Sequence, residues 1–327
     1  MKTLNGIHHI TAMTSSAEDI YKFFTDILGL RLVKKTVNQD DISTYHLFFA
    51  DDEGNPGTDM TFFDFHGVQK GEKGSDEIGR IGLRVKTDQA IAYWIKRLKH
   101  FEIDFEEKTV FNRKMLFFND FDEQEYAIVS DQGIEGVDGG IPWKKGPVPN
   151  DFAIIGLGPV FLRVKDKERM NHVLTEYLNF ALIDEDKQLS LYEVGPGGNG
   201  GSLIIDHQAD LKRASLGYGS VHHMAFRIED VDQLKQWISW LNTIGARHSG
   251  LVDRFYFKSL YTRLYPYILF EFATEGPGFM EDEETYENLG ETLALPPKFK
   301  GDRKEIEAKV RHIDTVPKKY KKEYYDE

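Results

Sequence analysis

Apolar and polar positions along the chain follow a rhythm that repeats four times: an apolar run at strand period, an amphipathic stretch at helical period, then several β-rich runs. The first unit shows it best. GIHHITAMT (6–14) reads as a strand, Ser15 with Glu18 three residues on forms a capping box, and Ile20, Phe23, Phe24, Ile27 and Leu28 recur at helical spacing before Gly29 ends the helix. LRLVKKTV, TYHLFFA and MTFFDF follow as strands separated by turn segments such as DDEGNPGTD, so the unit is βαβββ. Unit two opens at RIGLRV (80–85) and runs its helix through Ala90, Ile91, Trp94, Ile95 and Leu98. Unit three opens at GPVFLRV, has a helix through Met170, Val173, Leu174 and Tyr177, and a hairpin centred on GPGGNGG. Unit four opens at VHHMAFRI, has a helix through Leu234, Trp237, Ile238 and Leu241, and closes with YILFEFA.

The expected fold class is α+β, with four βαβββ modules paired into two domains. A Gly- and Pro-rich stretch without periodicity, 133–151, reads as the linker. The pairing in chain order is modules one and two in residues 1–145 and modules three and four in 146–285. Residues 286–327 form a charged extension, acidic and then lysine-rich, read first as a solvated segment and second as an interaction arm.

Composition narrows the chemistry. Forty per cent hydrophobic and 13% aromatic residues suffice for two cores in 327 residues, and 29% charged residues suit a soluble surface. The absence of cysteine excludes disulfides and thiolate metal sites, leaving His, Asp and Glu as ligands. A formal charge of -13 opposes binding to a phosphate backbone, so a small-molecule partner is expected and nucleic acid is not. With neither a secretion signal nor a membrane-length apolar run, the expected location is cytoplasmic. Homo-oligomer formation is left open.

Two of the four units open with a His-His pair, His8-His9 and His222-His223. Strand alternation turns one histidine of each pair toward a shared concave face, and the second of each, His9 and His223, is selected. A lone strand histidine is more often a satisfied core residue than a ligand; recurrence at matching places favours the ligand reading. Glu271, within YILFEFAT, needs a cation if buried and is an ordinary outward residue if not. Two imidazoles and one carboxylate leave open positions on a six-coordinate metal, the arrangement of non-haem Fe(II) oxygenases. Arg254 and Tyr261 in DRFYFKSLYTR are placed near a bound phenol, where the arginine stabilises negative charge and the tyrosine donates a hydrogen bond. The glycine-rich EVGPGGNGGS reads as a hairpin turn around Asn199 and Gly200, not a phosphate cradle.

GIHHIT, KKTVNQDDISTYHLFFADDEGNPGTDMTFF, GSVHHMAF, DRFYFKSLY and LFEFATEGPGF, in this order, resemble the ring-cleaving dioxygenases of the vicinal-oxygen-chelate (glyoxalase/bleomycin resistance/dioxygenase) superfamily, in the branch that includes hydroquinone dioxygenases. The likeness covers about residues 5 to 280. It implies two vicinal-oxygen-chelate domains, a metal on His9, His223 and Glu271, and supporting roles for His222, Arg254, Tyr261 and His8. It further implies an extradiol-type, Fe(II)-dependent enzyme taking a hydroquinone-like or related dihydroxylated aromatic and dioxygen. The chain departs from the branch at TRLYPYILFE, where relatives carry a glycine-bearing turn, and Pro266 and Tyr267 reshape the pocket there. Two rival readings share the fold: a glyoxalase-like isomerase or lyase using Zn(II), Ni(II) or Mn(II), and a non-catalytic quinone- or drug-binding protein. The first wants a second glutamate ligand, which MTFFDF lacks.

Overall fold

The computed structural model describes residues 3–325. Module one comprises β1 (Ile7–Met13), α1 (Ala17–Lys22) running into a wider π turn at Phe23–Ile27, β2 (Arg31–Val37), β3 (Tyr45–Ala50) and β4 (Asp59–Asp64). Module two comprises β5 (Glu77–Val85), α2 (Asp88–His100), β6 (Phe105–Val110), β7 (Arg113–Asn119) and β8 (Glu125–Ser130). Module three has β9 (Ile154–Val164), α3 (Lys167–His172) with a second π turn at Val173–Tyr177, β10 (Ala181–Glu185), β11 (Leu189–Glu193) and β12 (Ser202–His207). Module four has β13 (Ser220–Ile228), α4 (Val231–Thr243), β14 (Val252–Asp253), β15 (Phe257–Thr262) and β16 (Phe270–Pro277). The four βαβββ modules are those expected. One local detail differs: Ser16, not Ser15, caps α1, accepting from the Asp19 amide at 3.2 Å, while Ser15 donates to the Asp122 carboxylate.

The modules form two eight-stranded sheets, ordered β14-β15-β16-β13-β1-β4-β3-β2 and β10-β11-β12-β9-β5-β8-β7-β6. Module one therefore shares a sheet with module four, and module two with module three. A division near residue 145 cuts the chain between modules but does not assign one sheet to each half. The joints are the antiparallel ladders β1 to β13 and β5 to β9, first strand to first strand, so strands far apart in sequence complete each other's sheet. Residues 133–151 are packed rather than a loose tether: Trp143 and Val148 are buried, and the Asp51 carboxylate accepts from the Ile141 amide at 2.8 Å.

The charged extension also docks. A helix α5 (Arg303–Lys309) and the extended chain beyond it bury Ile306, Val310 and Ile313. Arg311 pairs with Glu18, Lys318 with Asp26, and Glu323 with the fully buried Arg97, so the solvated-tail reading is corrected. Arg311 thereby meets Glu18 in the first turn of α1, and Lys318 meets Asp26 in the π turn that follows it. Among the described residues no helix is long and apolar enough to cross a membrane.

Candidate metal centre

The concave face of the first sheet collects His9 from β1, His223 from β13 and Glu271 from β16. His9 Nε2 lies 3.3 Å from His223 Nε2, and Glu271 Oε2 lies 3.2 and 3.0 Å from those two nitrogens. Bonds of ~2.1 Å to one cation place adjacent donors about 3 Å apart, so the three atoms are spaced as ligands of a single ion. All three residues are buried, and Glu271 Oε2 has no hydrogen bond, its partner oxygen taking the Ser259 hydroxyl. Burial alone would raise the Glu271 pKa, but the His9 and His223 imidazoles hold its carboxyl well below the usual carboxylate range. An orphaned buried carboxylate oxygen facing two imidazole nitrogens fits a divalent cation.

His8 and His222 lie in the ladder between β1 and β13, and the register explains how both serve the site. The pairing skips one residue between Ile7 and His9 on β1 and one between His223 and Val221 on β13, so each first histidine is the extra residue of a bulge. A bulge re-aims its side chain out of strict alternation. His8 Nε2 donates to the Thr274 carbonyl at 3.1 Å, leaving its Nδ1 to accept from His9 Nδ1 at 2.9 Å. His9 Nε2 is thereby left as a bare lone pair turned to the centre. His222 Nδ1 meets His223 Nδ1 at 2.8 Å in the mirrored arrangement, and lines the cavity as well. Burial, reinforced by the neighbouring His9 and His223 respectively, depresses the pKa of His8 and of His222 to about 3, so both stay neutral.

The centre opens on a cavity of about 410 Å³ whose apolar walls include Phe48, Phe63, Phe257 and Leu269. Arg254 and Tyr261 sit at its side, the Arg254 Nε donating to the Tyr261 hydroxyl at 3.1 Å and its far nitrogen pairing with Asp40 at 2.9 Å. Burial, with the nearby Glu271 charge, raises the Tyr261 pKa, so the phenol keeps its proton.

Sequence reasoning missed three polar residues here. His46 on β3 bonds Thr61 at 3.0 Å, Thr61 bonds Thr11 at 2.8 Å, and Thr11 reaches His223 Nε2 at 3.0 Å. Burial drives the His46 pKa well below its ordinary value. Thr11 was legible, since strand alternation sets it on the face of His9; His46 carried no signal beyond a lone histidine in an aromatic run. Thr61 also explains the open side. Across the pseudo-symmetry, β13 sets Ala225 opposite Glu271 and β1 sets Thr11 opposite Thr61, so a hydroxyl stands where a second carboxylate would complete the ligand set.

The second sheet has lost the same centre. The position eight residues before each module's helix is His9, Arg80, Pro159 and His223 in turn, and the mates of Glu271 in the second sheet are Ala127 and Ile204. There the concavity is filled by Met115, Ala127, Val129, Phe161, Leu191 and Ile204.

Comparison with known proteins agrees with this architecture. The Glyoxalase/Bleomycin resistance protein/Dioxygenase superfamily profile matches residues 6–129 and 156–277. The chain is 41% identical to a Bacillus subtilis protein named "Putative ring-cleaving dioxygenase MhqA" over 95% of this chain and 99% of that one. It is 29% identical to the chlorohydroquinone/hydroquinone 1,2-dioxygenase of Sphingobium indicum over 93% and 95%. A crystal structure of a Bacillus subtilis protein described as a "putative dioxygenase" superposes with a TM-score of 0.88 at 32% identity, covering 98% of this chain and all of that one. With the profile spanning most of the chain and a relative of such identity matched end to end, this protein belongs to the glyoxalase/bleomycin resistance protein/dioxygenase superfamily.

Proposed function

We propose that this chain is an Fe(II)-dependent, extradiol-type dioxygenase that opens the ring of a hydroquinone-like or related dihydroxylated aromatic. The observation that carries the reading is the trio His9, His223 and Glu271, whose donor atoms lie 3.0 to 3.3 Å apart beside an aromatic-walled cavity. Ferrous iron, when bound, acidifies a phenolic hydroxyl and passes electrons between an aromatic diol and dioxygen. The names of the relatives support the same reaction class.

The chain's own residues divide the remaining work. Phe48, Phe63 and Phe257 sandwich a flat ring and exclude water from it. Tyr261 keeps its proton and, with its oxygen already accepting from Arg254, turns that proton toward a substrate oxygen. Arg254 keeps a fixed positive charge beside the oxygen where anionic character grows during cleavage. Neutral His222 and His46 both line the cavity; with its Nδ1 taken up by His223, His222 carries its proton on Nε2 and donates it as a hydrogen bond to a substrate oxygen.

The test is oxygen uptake after anaerobic loading with Fe(II), using hydroquinones and catechols. Uptake with a dihydric aromatic, abolished in Glu271→Gln, is expected. No uptake with any of them, or full activity of a zinc-loaded protein without oxygen, sinks the reading.

A further inference from the structure

Most arginines of this acidic chain are matched to carboxylates, and Arg31 donates to the backbone carbonyls of Asp52 and Tyr286. Among the described residues, Arg169, Arg213, Arg247 and Arg263 have neither kind of partner; all four are exposed, with the Arg213 guanidinium carbon 3.9 Å from the centre of the Tyr267 ring and that of Arg169 6.0 Å from the centre of the Tyr265 ring. These four are not scattered. Arg169, Arg247 and Arg263, with His172 and His248, line a groove of about 800 Å³ that contains no aspartate or glutamate. Arg213 and Arg263 line an adjoining cavity of about 340 Å³ together with His222, with Asp76 and Glu77 in its lining but not in the groove's.

Both spaces abut the metal cavity. Leu269 lines all three, and Tyr261 lines the metal cavity and the larger groove. Neighbouring guanidinium groups without carboxylate partners repel one another. In a chain with a formal charge of -13 they nonetheless concentrate positive potential at one mouth beside the candidate centre. Planar donor forks of this kind suit a carboxylate held by several hydrogen bonds.

We infer that this groove binds the carboxylate of an organic acid whose aromatic end, or whose parent ring, occupies the metal cavity past Tyr261 and Leu269. The identification of the anion rests on the function proposed above; the groove itself does not. Two sources share the chemistry: an acidic side arm on the aromatic substrate, and the carboxylate that ring opening creates. The segment from Thr262 to Leu269 carries both Arg263 and Tyr267, the latter held at a positive φ of 70°.

The experiment measures anaerobic binding of 2,5-dihydroxyphenylacetate and of hydroquinone to the whole protein by calorimetry, and inhibition of hydroquinone turnover by its own ring-opened product. Wild type is compared with the triple variant R169Q/R247Q/R263Q and with the single charge reversal R247E, and melting curves establish that each is folded. For a substrate arm, wild type prefers the acid over hydroquinone by at least about tenfold, and the triple variant loses that ratio. For a product carboxylate, inhibition by product weakens by a similar factor in the variants. Retention of both the preference and the inhibition in folded variants overturns the inference. The two readings fail separately: arginine-dependent binding of phenylacetate with no oxygen uptake on any dihydric aromatic removes the proposed reaction and leaves the groove standing.

Discussion

At the scale of single residues, the two His-His pairs do more than offer two candidate ligands. In each pair the second histidine faces the centre and the first fixes its tautomer, because a bulge lets adjacent side chains meet nitrogen to nitrogen. The Thr274 carbonyl sets the order on one side by accepting from His8, which obliges His9 to donate through Nδ1 and to present Nε2 bare. A histidine ligand held this way loses orientation when its supporting partner is removed, typically 10- to 100-fold in metal affinity. His8→Phe is expected to weaken Fe(II) binding by about that factor while leaving the fold intact; competition with a chromophoric chelator measures it, and unchanged affinity refutes the tautomer argument. The pairs were legible from the repeat, and Arg254 and Tyr261 from their place just upstream of Glu271. The resemblance implied supporting roles for His8 and His222 but not how they act, because a register skip is set by the ladder between two distant strands and leaves no mark in either strand's pattern.

At the scale of elements, the wall of the cavity depends on a contact between β2 and the segment after β16. Lys34, fully buried on β2, pairs with Asp282 at 2.8 Å and Glu284 at 2.6 Å, and Asp282 accepts from Tyr256, which lines the metal cavity. A cation with two carboxylates in a dry setting gains little as a group, yet removing the cation strands two anions. Lys34→Met is expected to destabilise the protein by about 3 to 5 kcal/mol in urea unfolding, with the double change Asp282→Asn and Glu284→Gln in its background recovering part of the loss. A loss below about 1 kcal/mol in the single variant would show that the cluster is not a clamp. In sequence, Lys34 sits in LRLVKKTV as an ordinary strand lysine. Its partners lie some 250 positions away, in a stretch readable only as acidic.

At the scale of the whole molecule, the chain ends by strapping its modules together. The strand pairing joins module one to four and two to three, and the C-terminal extension then lies across modules one and two. Its Lys318 and Tyr320 reach Asp26, Lys322 donates to the carbonyls of Trp143 and Val148, and Glu323 meets Arg97. Arg97 also donates to the carbonyls of Asp26 and Ile27, so the strap neutralises a charge buried between α2 and the π turn of module one. Deleting residues 303–327 exposes Ile306, Val310 and Ile313 and leaves Arg97 without its carboxylate. Burial of each such side chain contributes about 1.5 to 3 kcal/mol, so a fall in Tm of at least about 5 °C is expected by scanning calorimetry. An unchanged Tm would mean that the strap merely rests on the surface.

The sequence by itself determined the four modules, because strand and helix periods are local and each turn signal acts within a few residues. It also picked out the three candidate donors, since a repeated histidine pair and a glutamate among aromatics are visible without coordinates. Only the tertiary structure decided which modules share a sheet, where the bulges fall, which residue of β4 takes the place of Glu271 across the pseudo-symmetry, and where the unpaired arginines gather. Those outcomes depend on ladders and packing between segments far apart in the chain, whose free energy belongs to pairs of elements and is written in neither partner alone.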